Sequence, residues 1–99
     1  MRTAFIALRS PQEADPSHAI RRFAEKDDAT VILFEDAVYN AVHPKASEGL
    51  GAVAHEVIVC SEDLEARGFS QADLKVGKAA GYPEIIDCIM ERTERTLTI

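Results

Sequence analysis

The sequence predicts an α/β domain of three layers, flavodoxin-like, on a mostly parallel sheet of about five strands. Three observations carry this expectation. Short apolar runs at residues 3–8, 30–34 and 56–60 lack polar alternation, the mark of strands covered on both faces. Segments with helical spacing of apolar residues separate them, and each is long enough for a crossover between parallel strands. Such crossovers are right-handed by rule, so the helices must lie in layers outside the sheet.

The first strand is Thr3-Ala4-Phe5-Ile6-Ala7-Leu8, stopped by Arg9-Ser10-Pro11. Asp15-Pro16 offers an N-cap followed by proline at the first helical position, and Ile20, Phe23 and Ala24 recur at helical spacing with Arg21, Arg22 and Glu25 outward. This helix is expected to run to about Lys26, with Asp27-Asp28 as the turn into a second strand at residues 30–34. Glu35-Asp36 closes that strand. Val38, Ala41 and Val42 form one face of a short helix, interrupted at His43-Pro44 because a residue before proline is pushed out of the helical region.

Residues 45–54 carry Gly49 and Gly51 beside Leu50 and Val53, and read either as a weak second helical piece or as a mobile loop near the ligand-binding edge. Glu56 to Cys60 is the third strand, Ser61 to Ala66 a helical turn or two, and Arg67-Gly68 its stop. Leu74-Lys75-Val76 is expected as a short fourth strand. Pro83 opens the last helix, with Ile85, Ile86, Ile89 and Met90 as its buried stripe and Cys88 on the margin. Residues 96–99 suit a final strand.

Ninety-nine residues make one domain, 1–99, large enough to bury a core without staples. The net charge of −6 repels a phosphate backbone, so direct nucleic-acid binding is not expected. Runs such as Val31-Ile32-Leu33-Phe34 are too short to cross a bilayer and no segment reads as a signal peptide, which points away from a membrane and to a cytoplasmic location. Two cysteines in such a compartment are expected as free thiols. Cys60, Cys88, His18, His43 and His55 show no paired metal-ligand spacing, and no glycine-rich nucleotide fingerprint or nucleophile elbow occurs. Neither a metal nor a cofactor is therefore expected.

Cys60 is the residue to which chemistry points, because it stands where a strand hands over to a helix, on the edge where open α/β sheets bind ligands. A helix N-terminus lowers a thiol pKa, whereas Glu62 and Asp63 in the same turn raise it. The competing reading is a buried strand thiol, since free cysteine is among the most buried residue types. His55 lies at the far end of the same strand, roughly 15 Å away at about 3.3 Å per residue, which excludes a Cys–His dyad with it. His43 sits before proline in a loop, where a plain surface role is the commoner one. Arg9, at the end of the first strand, is the better neighbour for a thiolate; its alternative is a solvated charge or a bond to Glu35.

Three blocks resemble the DsrE/DsrF/DsrH family of sulfur-relay proteins, which includes the Tus subunits of tRNA 2-thiouridine formation. They are Leu8-Arg9-Ser10-Pro11, the stretch from Phe34-Glu35-Asp36 through Tyr39-Asn40-Ala41-Val42, and Glu62-Asp63-Leu64-Glu65-Ala66-Arg67-Gly68-Phe69. In order and spacing they are similar to the DsrH/TusB branch. That branch generally lacks a cysteine at the third-strand end, whereas Cys60 matches the persulfide-carrying cysteine of the DsrE/TusD branch, and the C-terminus lacks the tryptophan common among DsrH/TusB members. The resemblance implies a persulfide carrier in tRNA thiolation or sulfur oxidation, with Cys60 as the sulfur-bearing residue and Arg9, Asp36 and Ser61 shaping its surroundings. Its rival is a non-catalytic DsrH-like assembly subunit.

The resemblance also implies a homodimer, or a hetero-oligomer with DsrE/DsrF-like subunits, that meets a sulfur donor and an acceptor protein in turn. Leu50, Val53 and Tyr39 lie in segments whose helical stripes look broken, so a twofold interface is expected in the second helix region.

Overall fold

The computed structural model describes residues Met1–Ile99 as a five-stranded sheet in the order β4-β3-β2-β1-β5, every neighbouring pair parallel. The strands are β1 (Thr3–Ala7), β2 (Ala29–Leu33), β3 (Glu56–Cys60), β4 (Lys78–Ala80) and β5 (Arg95–Thr98). Between them come α1 (Pro16–Phe23), α2 (Tyr39–Val42), α3 (Pro44–Val53), α4 (Ser61–Ala66) and α5 (Tyr82–Asp87), which continues as a π-helical turn at Cys88–Arg92. The three-layer α/β architecture is the expected one, with the sheet wholly parallel.

Chain direction explains the layers. From β1 to β4 each strand is laid on the same side of the last, so right-handed crossovers put α1 to α4 on one face of the sheet. Ile20, Ala41, Leu50, Val53 and Leu64 from those helices pack there against Phe5, Val31, Leu33, Val57 and Val59. The connection from β4 to β5 runs back across the whole sheet, and the same handedness sends α5 to the opposite face. There a smaller cluster joins Ile85 and Cys88 to Ala4, Ile32, Ile58, Cys60 and Ala80.

Local chemistry sets the helix ends. Asp15 caps α1 by accepting the Ser17 N–H at 3.0 Å and the Ser17 hydroxyl at 2.6 Å, with Pro16 at the first position. The helix stops at Phe23, three residues before the expected Lys26, because residues 26–28 form a 3₁₀ turn. Residues 44–53 resolve as a helix, since His43 Nδ1 accepts the Ala46 N–H at 3.3 Å and Pro44 stands at the first position. At the end of α4, Gly68 adopts φ 83° while its N–H reaches the Glu65 carbonyl and that of Phe69 reaches Leu64, closing a Schellman turn.

Three expectations are corrected. The fourth strand is Lys78–Ala80, not residues 74–76: Leu74 and Val76 pack against the core from a loop whose Lys75 N–H donates to the Ala41 carbonyl at 2.8 Å. On the last helix, Ile85 and Cys88 are buried and Ile86 and Met90 exposed, because α5 alone covers its face and only one narrow stripe meets the sheet. Leu50 and Val53 are buried and Tyr39 half-buried, since α3 packs fully against the sheet. Exposed large apolar residues cluster instead on the α5 layer, at Tyr82, Ile86 and Met90, with Leu8 and Phe23 exposed singly elsewhere.

Candidate functional site

A sheet of this kind opens a crevice where connections from neighbouring strands leave to opposite faces. Here α4 follows β3 onto one face and α5 follows β4 onto the other, so the switch point lies at the carboxyl ends of β3 and β4. Cys60 occupies the end of β3, in register with Ala80 at the end of β4. Gly81 and Tyr82 follow Ala80 and start α5. A Cβ on Gly81 would stand 3.8 Å from a Glu62 carboxylate oxygen and 4.0 Å from the Ser61 hydroxyl, so the start of α5 rests on the start of α4.

Alternation along β3 sends Val57 and Val59 toward α1 to α4, and Ile58 and Cys60 toward α5. The Cys60 side chain is therefore part of the smaller core, with 0% of the residue exposed. Its thiol donates to Glu62 Oε1 at 3.6 Å. Burial pushes the Cys60 pKa up, against the N–H groups of Asp63 and Glu62 and the Tyr82 hydroxyl, and the Asp63 carboxylate adds to the rise. The thiol beside Tyr82 in turn raises the phenol's pKa. Tyr82 remains 45% exposed and stacks on Phe34 with ring centroids 6.3 Å apart. Of the two opposing influences on Cys60, desolvation prevails, and the protonated thiol is the resting form.

The other residues expected around Cys60 divide. Ser61 is its neighbour, half-buried, and its hydroxyl donates to the same Glu62 oxygen at 3.1 Å. Asp36 is committed elsewhere: its Oδ1 accepts from Arg67 Nε at 3.1 Å and Nη2 at 2.9 Å. Arg67 Nη1 donates to the Asp63 carbonyl at 3.0 Å, and Asp63 Oδ2 accepts the Glu35 N–H at 2.7 Å. These bonds tie the loop after β2 to α4, and Glu35 accepts a left-handed φ of 51° within them. Arg9 is exposed, and its guanidinium makes no hydrogen bond or ion pair with Cys60, Glu35 or any other group. With β2 between β1 and β3, the Arg9 strand end is about 10 Å from that of Cys60 at roughly 4.8 Å per strand.

Sequence reasoning missed Tyr82 and Glu62 as the thiol's acceptor, and it placed Cys88 on the edge of the core, where the structure buries it fully. Cys88 is buried in the same cluster as Cys60, both thiols are free, and burial raises its pKa as well. The available signal for Tyr82 was its place one residue before Pro83 at a helix start. What it lacked was the identity of the strand beside β3.

A family model described as "DsrH like protein" matches residues 9–94. Among solved structures, the chain is similar to protein Tm0979 from Thermotoga maritima, determined by solution NMR, at 23% identity and a TM-score of 0.63 over 87% of this chain and 90% of that one. It is also similar to the ychN protein from E. coli, a crystal structure, at 20% identity and a TM-score of 0.74 over 100% of both chains. Likenesses at these identities establish a common fold. No curated protein matches the chain.

Proposed function

The chain belongs to the DsrH-like family, whose members work within complexes of sulfur-relay subunits, and from that premise we propose that it is a non-catalytic assembly subunit that docks its partners through α5. One observation carries this reading: the site thiol is shut away while large apolar side chains stand in water beside it. Tyr82, Ile86 and Met90 recur every fourth residue along one side of α5 and the following turn, 45%, 57% and 72% exposed. Phe34 and Ile89 extend the surface as half-buried neighbours. A related relay subunit covering this stripe would remove a contiguous apolar patch from solvent. Ile86→Asp and Met90→Asp test it, since neither side chain supports the core. Co-expression with DsrE/DsrF-like subunits should lose the complex while the melting temperature of the isolated chain stays unchanged; an intact complex would refute the assignment of this face. The same stripe admits a second copy of this chain, and sedimentation equilibrium of the two variants reads that case.

A second reading, persulfide carriage at Cys60, is favoured by the position of the sulfur at the topological switch point, beside Tyr82 and the Glu62 carboxylate. The Cys60 proton would pass to solvent or to the Glu62 carboxylate. The thiolate would then attack the outer sulfur of a donor persulfide, forming a new S–S bond at Cys60 as the donor's breaks and its cysteine leaves as thiolate. No net oxidation or cofactor is involved. Intact mass after incubation with a cysteine desulfurase and cysteine separates the two readings. One added sulfur on wild type, absent from Cys60→Ser, would establish the carrier; no adduct on wild type supports the assembly role. Subunits that co-purify from the native cell would assign the chain to tRNA thiolation or to sulfur oxidation, and a cytoplasmic location goes with either. No helix is long and apolar enough to cross a membrane.

A further inference from the structure

The two edges of the sheet are finished differently. At the β4 edge the strand is only three residues long and the Ala79 N–H donates to Gln71 Oε1 at 2.7 Å, so brevity and a side chain together shield it. The β5 edge has no such cover. Arg95 and Ile99 donate to the Arg2 and Ile6 carbonyls, which by alternation turns the N–H and carbonyl groups of Thr96 and Thr98 away from β1, and both residues are exposed. No proline, lysine or bulge interrupts Arg95–Thr98, although these are the usual means of blunting an edge.

The helix beside this edge carries a matching flank. Ser17, Arg21 and Ala24 of α1 and the segment after it turn toward α3: the Ser17 hydroxyl lies 3.9 Å from where a Gly49 Cβ would stand, and Arg21 and Ala24 line a hollow with Ala52 and Val53. The opposite flank of α1 therefore holds Pro16, Ala19 and Phe23, which recur at helical spacing. It lies on the β5 side, because the Phe23 carbonyl accepts from Arg95 Nη2 at 2.8 Å. Phe23 is 52% exposed there, on the sheet face that half-buried Leu97 and Ile99 share. The two ends of this flank differ in charge, with Asp15 at the start of the helix and Arg22 near its finish, and neither forms an ion pair.

We propose that the β5 edge pairs with the β5 edge of a second copy of this chain, antiparallel about a twofold axis at Leu97. In that register Thr96 of one copy and Thr98 of the other exchange backbone hydrogen bonds, so the outward groups of both residues find partners. Threonine meets threonine on one face of the joined sheet. On the other face Leu97 meets its own counterpart, and Arg95 lies opposite Ile99, away from the other Arg95. Phe23, beside Arg95, then stands next to Ile99 of the second copy. The same axis runs the two α1 helices antiparallel, which brings the Asp15 end of each toward the Arg22 end of the other. A charge pattern that complements itself in this way selects a second copy over an unrelated extended segment. The surface is separate from the α5 stripe and leaves that stripe open to a relay subunit.

The test is sedimentation equilibrium of the full chain from micromolar to millimolar concentration, with amide hydrogen exchange read by NMR over the same range. A dimer should form as concentration rises, and the Thr96 and Thr98 amides, open to water in the monomer, should exchange more slowly in step with it. Thr96→Pro removes an outward N–H and leaves the β1 ladder intact, so it should weaken the dimer roughly 10- to 100-fold through loss of one bridging bond per copy. Phe23→Ser alters only an exposed side chain and should weaken the dimer without touching the strand. Arg22→Glu should do the same, most strongly at low salt. Ile86→Asp and Met90→Asp should leave the dimer intact, which keeps this proposal distinguishable from docking through α5. A chain that stays monomeric at millimolar concentration would overturn the proposal. So would a dimer that neither Thr96→Pro nor Phe23→Ser weakens, or one that Ile86→Asp breaks, since that result assigns self-association to the α5 stripe.

Discussion

Gly77→Ala should destabilise the protein far more than Gly68→Ala, although the two glycines share nearly the same backbone conformation. Gly77 has φ 77° and Gly68 φ 83°, so each alanine would suffer the left-handed penalty of about 1–2 kcal/mol. Each would also gain about 0.4–1 kcal/mol from a stiffer unfolded chain, which cancels in the comparison. The surroundings differ. A Cβ on Gly77 would fall 2.5 Å from the Val57 carbonyl oxygen and 2.9 Å from the Val57 Cβ, whereas one on Gly68 meets nothing within 4 Å. The nearest atom in the way at Gly77 is a backbone carbonyl oxygen of β3, and the Val57 Cβ is fixed to that same backbone, so neither can rotate aside and overpacking adds about 1–3 kcal/mol at that position alone. With a urea slope of about 1.5 kcal/mol/M, the midpoint of Gly77→Ala should lie about 0.7–2 M below that of Gly68→Ala.

The same perturbation reaches the thiol. Gly77 leads into β4, and β4 carries Gly81 and Tyr82 over Cys60, so pushing β4 away from β3 should speed iodoacetamide alkylation of Cys60 roughly tenfold for each 1.4 kcal/mol of local opening. Equal urea midpoints for the two variants would refute the reasoning. So would a destabilised Gly77→Ala in which Cys60 alkylates no faster than in Gly68→Ala.

Further outcomes follow from the same contacts. Cys60 and Cys88 both have pKa values raised by burial above the ordinary 9.0, so the unfolded chain loses these protons first and stability should fall as pH rises above 9.0; urea midpoints across that range should fall less steeply in Cys60→Ala. Cys88 should resist iodoacetamide in the native protein at neutral pH, and mass spectrometry that finds it alkylated would contradict its place in the core. Arg67→Gln should cost about 1 kcal/mol in urea unfolding, since the partly exposed pair with Asp36 is reinforced by the bond to the Asp63 carbonyl. Leu64→Ala, which empties a fully buried position under α4, should cost about 3 kcal/mol by the same measurement.

Local chemistry alone determined much of this fold. Unalternating apolar runs specified β1, β2 and β3 because a strand buried on both faces has no solvent side to mark with polar residues. Asp15-Pro16 and Arg67-Gly68 located helix ends because a cap and a left-handed stop depend on neighbours in the chain. The place of Cys60 at a strand end was legible for the same reason. What the tertiary structure decided depends on which segments meet. Residues 74–76 look like a strand, yet β4 begins at Lys78, because only there can Gly77 bring the backbone against Val57. The last helix has more apolar residues than one sheet face can cover, and the return of the chain across the sheet chose Ile85 and Cys88 for burial and left Ile86 and Met90 in water. Asp36 looks like a site carboxylate until Arg67, thirty-one residues away, is seen to hold it. The state of Cys60 turned on the same long-range facts: the Asp63 carboxylate and the N–H groups of the helix start pull its pKa in opposite directions within one turn, and burial of the sulfur under the packing of α5 and β4 decided between them.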